Sequence, residues 1–140
     1  MDIKKQTKLF KKFPEFFEHL KEYDGDVVLP MMFGFEIGDG WYNLLYNLME
    51  TIHNYCEWND KPYPQFTQVK EKYGSLEVYI YGGDNMIDGM IWFANSLSTH
   101  ICESCGSMEN VGQTEKWIYT RCETCYKNEK ITQPFKKWEI

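Results

Sequence analysis

Four of the chain's five cysteines occur as two pairs, Cys102-x2-Cys105 and Cys122-x2-Cys125, separated by sixteen residues. That spacing falls within the C-x2-C-x15-20-C-x2-C pattern of four-cysteine zinc sites and constrains the fold more than any other feature of the sequence. Two thiolates three residues apart can face one ion only if the backbone between them turns tightly. Gly106, directly after the first pair, supplies a conformation such a turn often needs. The strand-like run "EKWIYTR" before the second pair can deliver Cys122 to the ion from the opposite side. Four sulfurs would close the coordination sphere and leave no position for water or substrate, so the spacing implies a structural Zn²⁺ and not a catalytic one. A thioredoxin-type redox pair belongs in a βαβ setting and needs no second pair. Four cysteines merely packed in a core remain a third reading.

Around this feature the chain supplies material for one small domain. Its 140 residues are 43% apolar and 17% aromatic, enough to bury a core without disulfides. No window has the run of about 18 apolar residues that a membrane span requires, and the charged start "MDIKKQTKLFKK" does not read as a signal peptide. With an odd cysteine count, these observations give the expectation of a reducing, cytoplasmic setting. The net charge of −6 is concentrated in residues 23–66, where one lysine faces seven carboxylates. Such a segment repels a phosphate backbone and disfavours nonspecific nucleic-acid binding.

The apolar spacing places three helices and a hairpin before the cysteines. The first helix is expected from Pro14, with Phe13, Phe16, Phe17 and Leu20 along one side, ending at Tyr23-Asp24-Gly25-Asp26. Residues 27–37 read as extended or irregular. Trp41, Leu45, Leu48, Ile52 and Tyr55 alternate in steps of four and three and define the second helix, ending near Glu57, with Asp39 as its expected N-cap. Val69 anchors one strand and Leu76, Val78 and Ile80 alternate along the next, with Tyr73-Gly74-Ser75 between them. Asp84 is expected to cap a third helix that buries Met86, Ile87, Met90, Ile91, Ala94 and Leu97. Residues 127–140 show no periodicity and read as a tail that Phe135, Trp138 and Ile140 could dock. The expected organisation is an α+β domain over 1–99, a zinc ribbon over 100–126 packed against the last helix, and the tail.

Catalytic motifs are missing: neither GxGxxG nor GxxxxGK[ST] is present, and His19 and His53 belong to no HExxH arrangement. His100 reads as a surface residue or a neighbour of the ligands, and Cys56 as a small buried apolar residue. Ten Tyr, nine Phe and five Trp exceed what a core of this size needs, which points to an interface or a stacking platform. The residues considered for ligand or partner contact are Asp39, Trp41, Lys70, Lys72, Tyr79, Tyr81 and Asp84, with capping the stronger expectation for the two aspartates. From these features the expected role is binding without catalysis. Engagement of a protein partner comes first, a small nucleotide-type ligand held by the lysines and aromatics second, and an unfamiliar enzyme third.

In "FGFEIGDGWYNLLYNL", "QVKEKYGSLEVYIYGGD", "CESCG" and "CETC", the chain resembles a family of small, uncharacterised zinc-ribbon proteins encoded by tailed bacteriophages and some bacteria. The resemblance covers residues 33–125 and implies a helix, hairpin, helix, ribbon order in a phage or prophage setting. It assigns no catalytic residue. A phage-type acidic protein of this size is expected to engage and inhibit a host protein in the bacterial cytosol, such as a defence factor.

Overall fold

The structure is a computed structural model that describes residues 1–22 and 28–139. The expected end of the first helix at residues 23–26, and Ile140, lie outside the described residues.

The chain starts with a helix that the sequence reading missed. α1 spans Ile3–Lys12, and Asp2 caps it by accepting from the N–H groups of Lys4 at 2.9 Å and Lys5 at 3.4 Å. Lys11 and Lys12 lie in its last turn, where positive charge suits the helix dipole. Leu9 is fully buried along α1 and Phe10 packs on Phe17 and Phe35, an apolar side too short to stand out in the lysine-rich run. The segment expected to be the first helix, Pro14–Leu20, is instead a 3-10 stretch kinked at Phe17. It still buries Phe16 and Phe17, which pack with Phe66 and Phe35.

A short 3-10 turn at Pro30–Phe33 leads into β1 (Phe35–Glu36), a two-residue strand too brief to show alternation. It runs parallel to β2 (Gln65–Lys72), which forms the expected hairpin with β3 (Ser75–Tyr81), giving the order β1-β2-β3. The register shifts between Phe66 and Gln68. That extra residue places Phe66 and Val69, three apart in sequence, both on the core face. α2 (Tyr42–Asn59) buries Leu45, Leu48 and Ile52 of the expected stripe together with Met49 and Cys56, while Tyr55 is half-buried and Trp41 precedes the helix. α3 (Asn85–Ser98) lies on β3 and beside α2. Ile87, Ala94 and Ser98 are its buried residues, while Met86, expected in the stripe, faces solvent.

Asp84 does cap α3, accepting from Met86 and Ile87 N–H at 3.1 Å each and from the Tyr55 hydroxyl at 2.7 Å. The Tyr55 hydroxyl and those amides hold its carboxyl below the usual aspartate range. A carboxylate with a lowered folded-state pKa stabilises the fold above the unfolded value of about 3.9, and that contribution is lost as pH falls through the folded value. Asp84→Asn is therefore expected to lower the melting temperature at pH 7 and to flatten its decline below pH 4. Parallel pH–melting curves for the two proteins test this.

The C-terminal third is built on a second sheet of order β5-β4-β6, from β4 (Val111–Thr114), β5 (Thr120–Cys122) and β6 (Phe135–Lys137), with α4 (Glu123–Asn128) following β5. β6 corrects the reading of residues 127–140 as a tail: it pairs antiparallel with β4, from Gly112↔Lys137 to Thr114↔Phe135. The expected docking by Phe135 and Trp138 is present. Phe135 stacks on Tyr126 with ring centroids 4.7 Å apart, and Trp138 Nε1 donates to the Thr99 carbonyl at 2.8 Å. The ribbon touches the end of α3 there, but its closer attachments are to two loops of the N-terminal part.

Candidate metal centre

The four paired cysteines converge. Cys102 and Cys105 sit in a tight turn after α3, Cys122 ends β5, and Cys125 lies one turn into α4. All four Sγ atoms lie within 4.8 Å of one another, and Cys105 and Cys122 are 3.7 Å apart. Sulfurs about 2.3 Å from a central tetrahedral ion stand about 3.8 Å apart, whereas a disulfide requires about 2.05 Å. The cluster therefore has the dimensions of a four-thiolate metal site. No cysteine is disulfide-bonded.

Backbone geometry explains how the turn presents its sulfurs. Gly106 N–H donates to the Cys102 carbonyl at 2.8 Å, Cys102 N–H donates to Ser107 O at 2.8 Å, and Gly106 takes φ +81°. On the other side, Cys122 caps α4 with its own sulfur, which accepts from Cys125 N–H at 3.4 Å. Burial raises the Cys105 and Cys125 thiols, and Cys125 also shares hydrogen bonds with Cys105 and Cys122. For Cys102 burial acts in the same direction, but N–H groups of Cys122, Cys105 and Ser104 outweigh it and lower the thiol. Gathered thiols of this kind resist full ionisation by themselves, and a divalent cation supplies the missing charge.

The surroundings of the cysteines include two residues that the sequence reading passed over. Glu103, between the first two ligands, is nearly buried. Its Oε1 accepts from Gly38 N–H and its Oε2 from Arg121 Nη1, both at 2.9 Å. Arg121 also donates from Nε to Glu129 Oε2 at 2.9 Å. Arg121 precedes Cys122, so this ion-pair chain links the two halves of the cluster to each other and to the Gly38 loop. Side-chain types at such positions carry no signal in one sequence; only the fold brings residues 38, 103, 121 and 129 together.

The same contacts explain "GDGW". Gly40 N–H donates to the Glu103 carbonyl at 2.7 Å, and Trp41 Nε1 donates to the Ile101 carbonyl at 2.8 Å. A Cβ on Gly40 would lie 2.2 Å from Cys102 O and 2.5 Å from Gly106 N, and one on Gly38 would lie 2.4 Å from Glu103 O. Both positions exclude any side chain because the backbone of the cysteine turn rests on them. A second attachment uses Gly74 in the β2–β3 turn, whose carbonyl accepts from the Thr120 hydroxyl and from Gln113 Nε2. The cysteine cluster is thus fastened to the core at two glycine loops.

These placements revise the other candidate residues. Trp41 is fully buried and offers no face to a stacking ligand. Asp39 is not the cap of α2: a 3-10 turn at Asp39–Trp41 intervenes, and its carboxylate instead accepts from Asp2 N–H at 2.6 Å and Lys5 Nζ at 3.1 Å. The Asp2 amide holds that carboxyl low, opposed by burial and helped by Lys5. Asp84 is engaged as a cap. Lys70 and Lys72 share the outer face of β2, and Tyr79 and Tyr81 lie exposed on β3, with Lys70 Nζ 5.7 Å from the Tyr79 ring centre. His100 stacks on Trp138 at 5.9 Å and is not in the thiol cluster. Cys56 is buried, 3.7 Å from the Pro62 carbonyl, and burial raises its thiol. No described helix is long and apolar enough to cross a membrane. Comparison with protein-family models, curated proteins and solved structures gave no match.

Proposed function

We propose that the four cysteines hold one structural Zn²⁺ and that the protein is a binding protein without catalytic activity, acting in the bacterial cytosol. For the metal, the supporting observation is the donor set, four thiols at tetrahedral spacing with no oxygen or imidazole among them, which suits zinc over harder cations. For the binding role, it is the outer face of α3. Met86, Trp92 and Phe93 stand there 57%, 77% and 66% exposed. Phe93 borders an apolar groove of about 270 Å³ between α2 and α3, lined also by Leu44, Leu48, Met90, Ala94 and Leu97, while Trp92 borders the neighbouring depression against Val78 and Ile80 of β3. Exposed aromatics grouped around a groove mark an interaction surface.

The occupant follows from charge. α2 and α3 carry Glu50, Glu57 and Asp88 and no lysine or arginine. A second copy of the chain would bring carboxylates against carboxylates; a basic amphipathic segment of another protein would seat apolar residues in the groove and lysines or arginines on its rim. In keeping with the phage-type resemblance, that partner is a host protein which the binding inhibits. The test is retention of a stoichiometric partner from bacterial lysate, repeated with the double variant Trp92→Asp, Phe93→Asp and at rising salt. The account expects a partner held at low salt by the native protein and lost in both other conditions. No partner at low salt, equal retention by the variant, or a native homodimer burying α3 would contradict it.

A further inference from the structure

A second site arises where the two sheets meet. The β2–β3 turn and the β4–β5 turn enclose a cleft of about 300 Å³ lined by Lys70, Lys72, Tyr73, Lys116, Trp117 and Ile118, together with Glu71. Residues 70–73 and 116–118 are far apart in sequence and meet because the Gly74 carbonyl is fastened to Thr120 and Gln113. The cleft sets three lysines against one carboxylate in a chain of net charge −6. Glu71 is already engaged through Oε1, which accepts from Gly74 N–H at 2.6 Å, and none of the three lysines forms an ion pair among the described residues.

The two aromatics are held out to solvent, Tyr73 at 76% and Trp117 at 68% exposure. Tyr73 occupies an unfavourable position for its type. The two-residue loop Tyr73-Gly74 has φ of +52° and +75°, a turn that favours Asn-Gly, and an aromatic side chain there works against the turn. Lys116, at φ +63°, likewise adopts the left-handed region on the opposing turn. Both turns thus place, at unfavourable backbone positions, side chains that line the same cleft.

We infer that this cleft binds a nucleotide, its base stacked on Tyr73 and its phosphates on Lys70, Lys72 and Lys116. Aromatic faces receive any base, lysines bind phosphate as point charges, and the volume is that of a small-ligand site. A long polyanion is disfavoured because the chain outside the cleft is acidic, whereas a single nucleotide meets only the local lysines. This site is separate from the α2–α3 groove and does not depend on the protein-binding role.

Calorimetric titration of the zinc-loaded full chain with ATP, pyrophosphate, adenosine and a ten-residue oligothymidylate tests the inference. ATP should bind, with pyrophosphate and adenosine each weaker by on the order of tenfold or more, because each keeps one half of the contacts. Tyr73→Asn should weaken ATP by a similar factor while the melting temperature holds or rises, since asparagine suits the turn. Lys116→Ala should weaken ATP and reduce the salt dependence of binding. No binding of ATP at millimolar concentration, pyrophosphate binding as tightly as ATP, the oligonucleotide binding more tightly than ATP, or unchanged affinity in Tyr73→Asn would each overturn it.

Discussion

Cys122→Ser is expected to lose the bound metal and to unfold the C-terminal third, leaving the helices and hairpin of residues 1–99 folded but less stable. Structural zinc contributes about 10–16 kcal/mol of apparent binding free energy to a four-ligand site, against roughly 5–15 kcal/mol for the net stability of a whole domain. The C-terminal unit has only a small apolar core of its own. Its separate buried cluster consists of Cys102, Val111 and Cys122, with Cys125 and Trp138 packed beside them, and its strands are three or four residues long. Three of those five apolar groups are themselves ligands, so metal loss removes most of the core along with the crosslink. Hydrogen exchange should show protection vanishing from β4 to β6 and persisting in α2, β2 and β3. Chelator-treated native protein should behave the same way. Retained protection in β4 and β5 after the metal is gone would contradict this.

Trp41→Ala should be the most damaging single change outside the metal ligands, costing about 3–5 kcal/mol for the buried volume, with a further contribution of about 1 kcal/mol from the Ile101 carbonyl left without its donor. The indole both fills the core and holds the chain one residue before Cys102, so its loss should reach the metal as well as the fold. Chemical denaturation gives the stability change, and the rate of zinc transfer to a competing chelator gives the coupling; stability should fall and the transfer rate should rise. Trp41→Phe keeps most of the volume and removes the N–H, and should therefore accelerate zinc transfer with a smaller loss of stability. If zinc transfer is unaffected in both variants, the core and the cluster are not coupled through this residue.

How much of this was legible in the sequence depends on the range of the interaction concerned. The thiol cluster could be read because its signal is local: two pairs at fixed spacing. α2 and β3 were equally legible, since each buries one face against the core and its apolar residues recur with the element's own period, whereas the shift in β2 sets Phe66 and Val69 three apart. α1 was not, because its packed side is the short pair Leu9 and Phe10 among lysines, so that only the Asp2 cap marked its start. β1 and β6 are two and three residues long and owe their existence to the strands they join, β2 and β4, which no local pattern records. The role of "GDGW" was hidden for the same reason. Gly-Asp-Gly before a helix reads as a capping signal, and only the approach of the Cys102–Gly106 backbone shows why both glycines must lack a side chain. Tyr73 and Trp117 escaped attention as a pair because the contact that joins their turns runs between Gly74 and Thr120.

The central claim is that the two cysteine pairs share one zinc ion and thereby shape the C-terminal third without performing chemistry. Native mass spectrometry of freshly isolated protein, combined with thiol alkylation, tests it most directly. The account predicts one zinc per chain, with Cys102, Cys105, Cys122 and Cys125 protected from alkylation until a chelator is added. Folded protein carrying less than one metal per chain, or with those four thiols reacting freely while the metal stays bound, would contradict it.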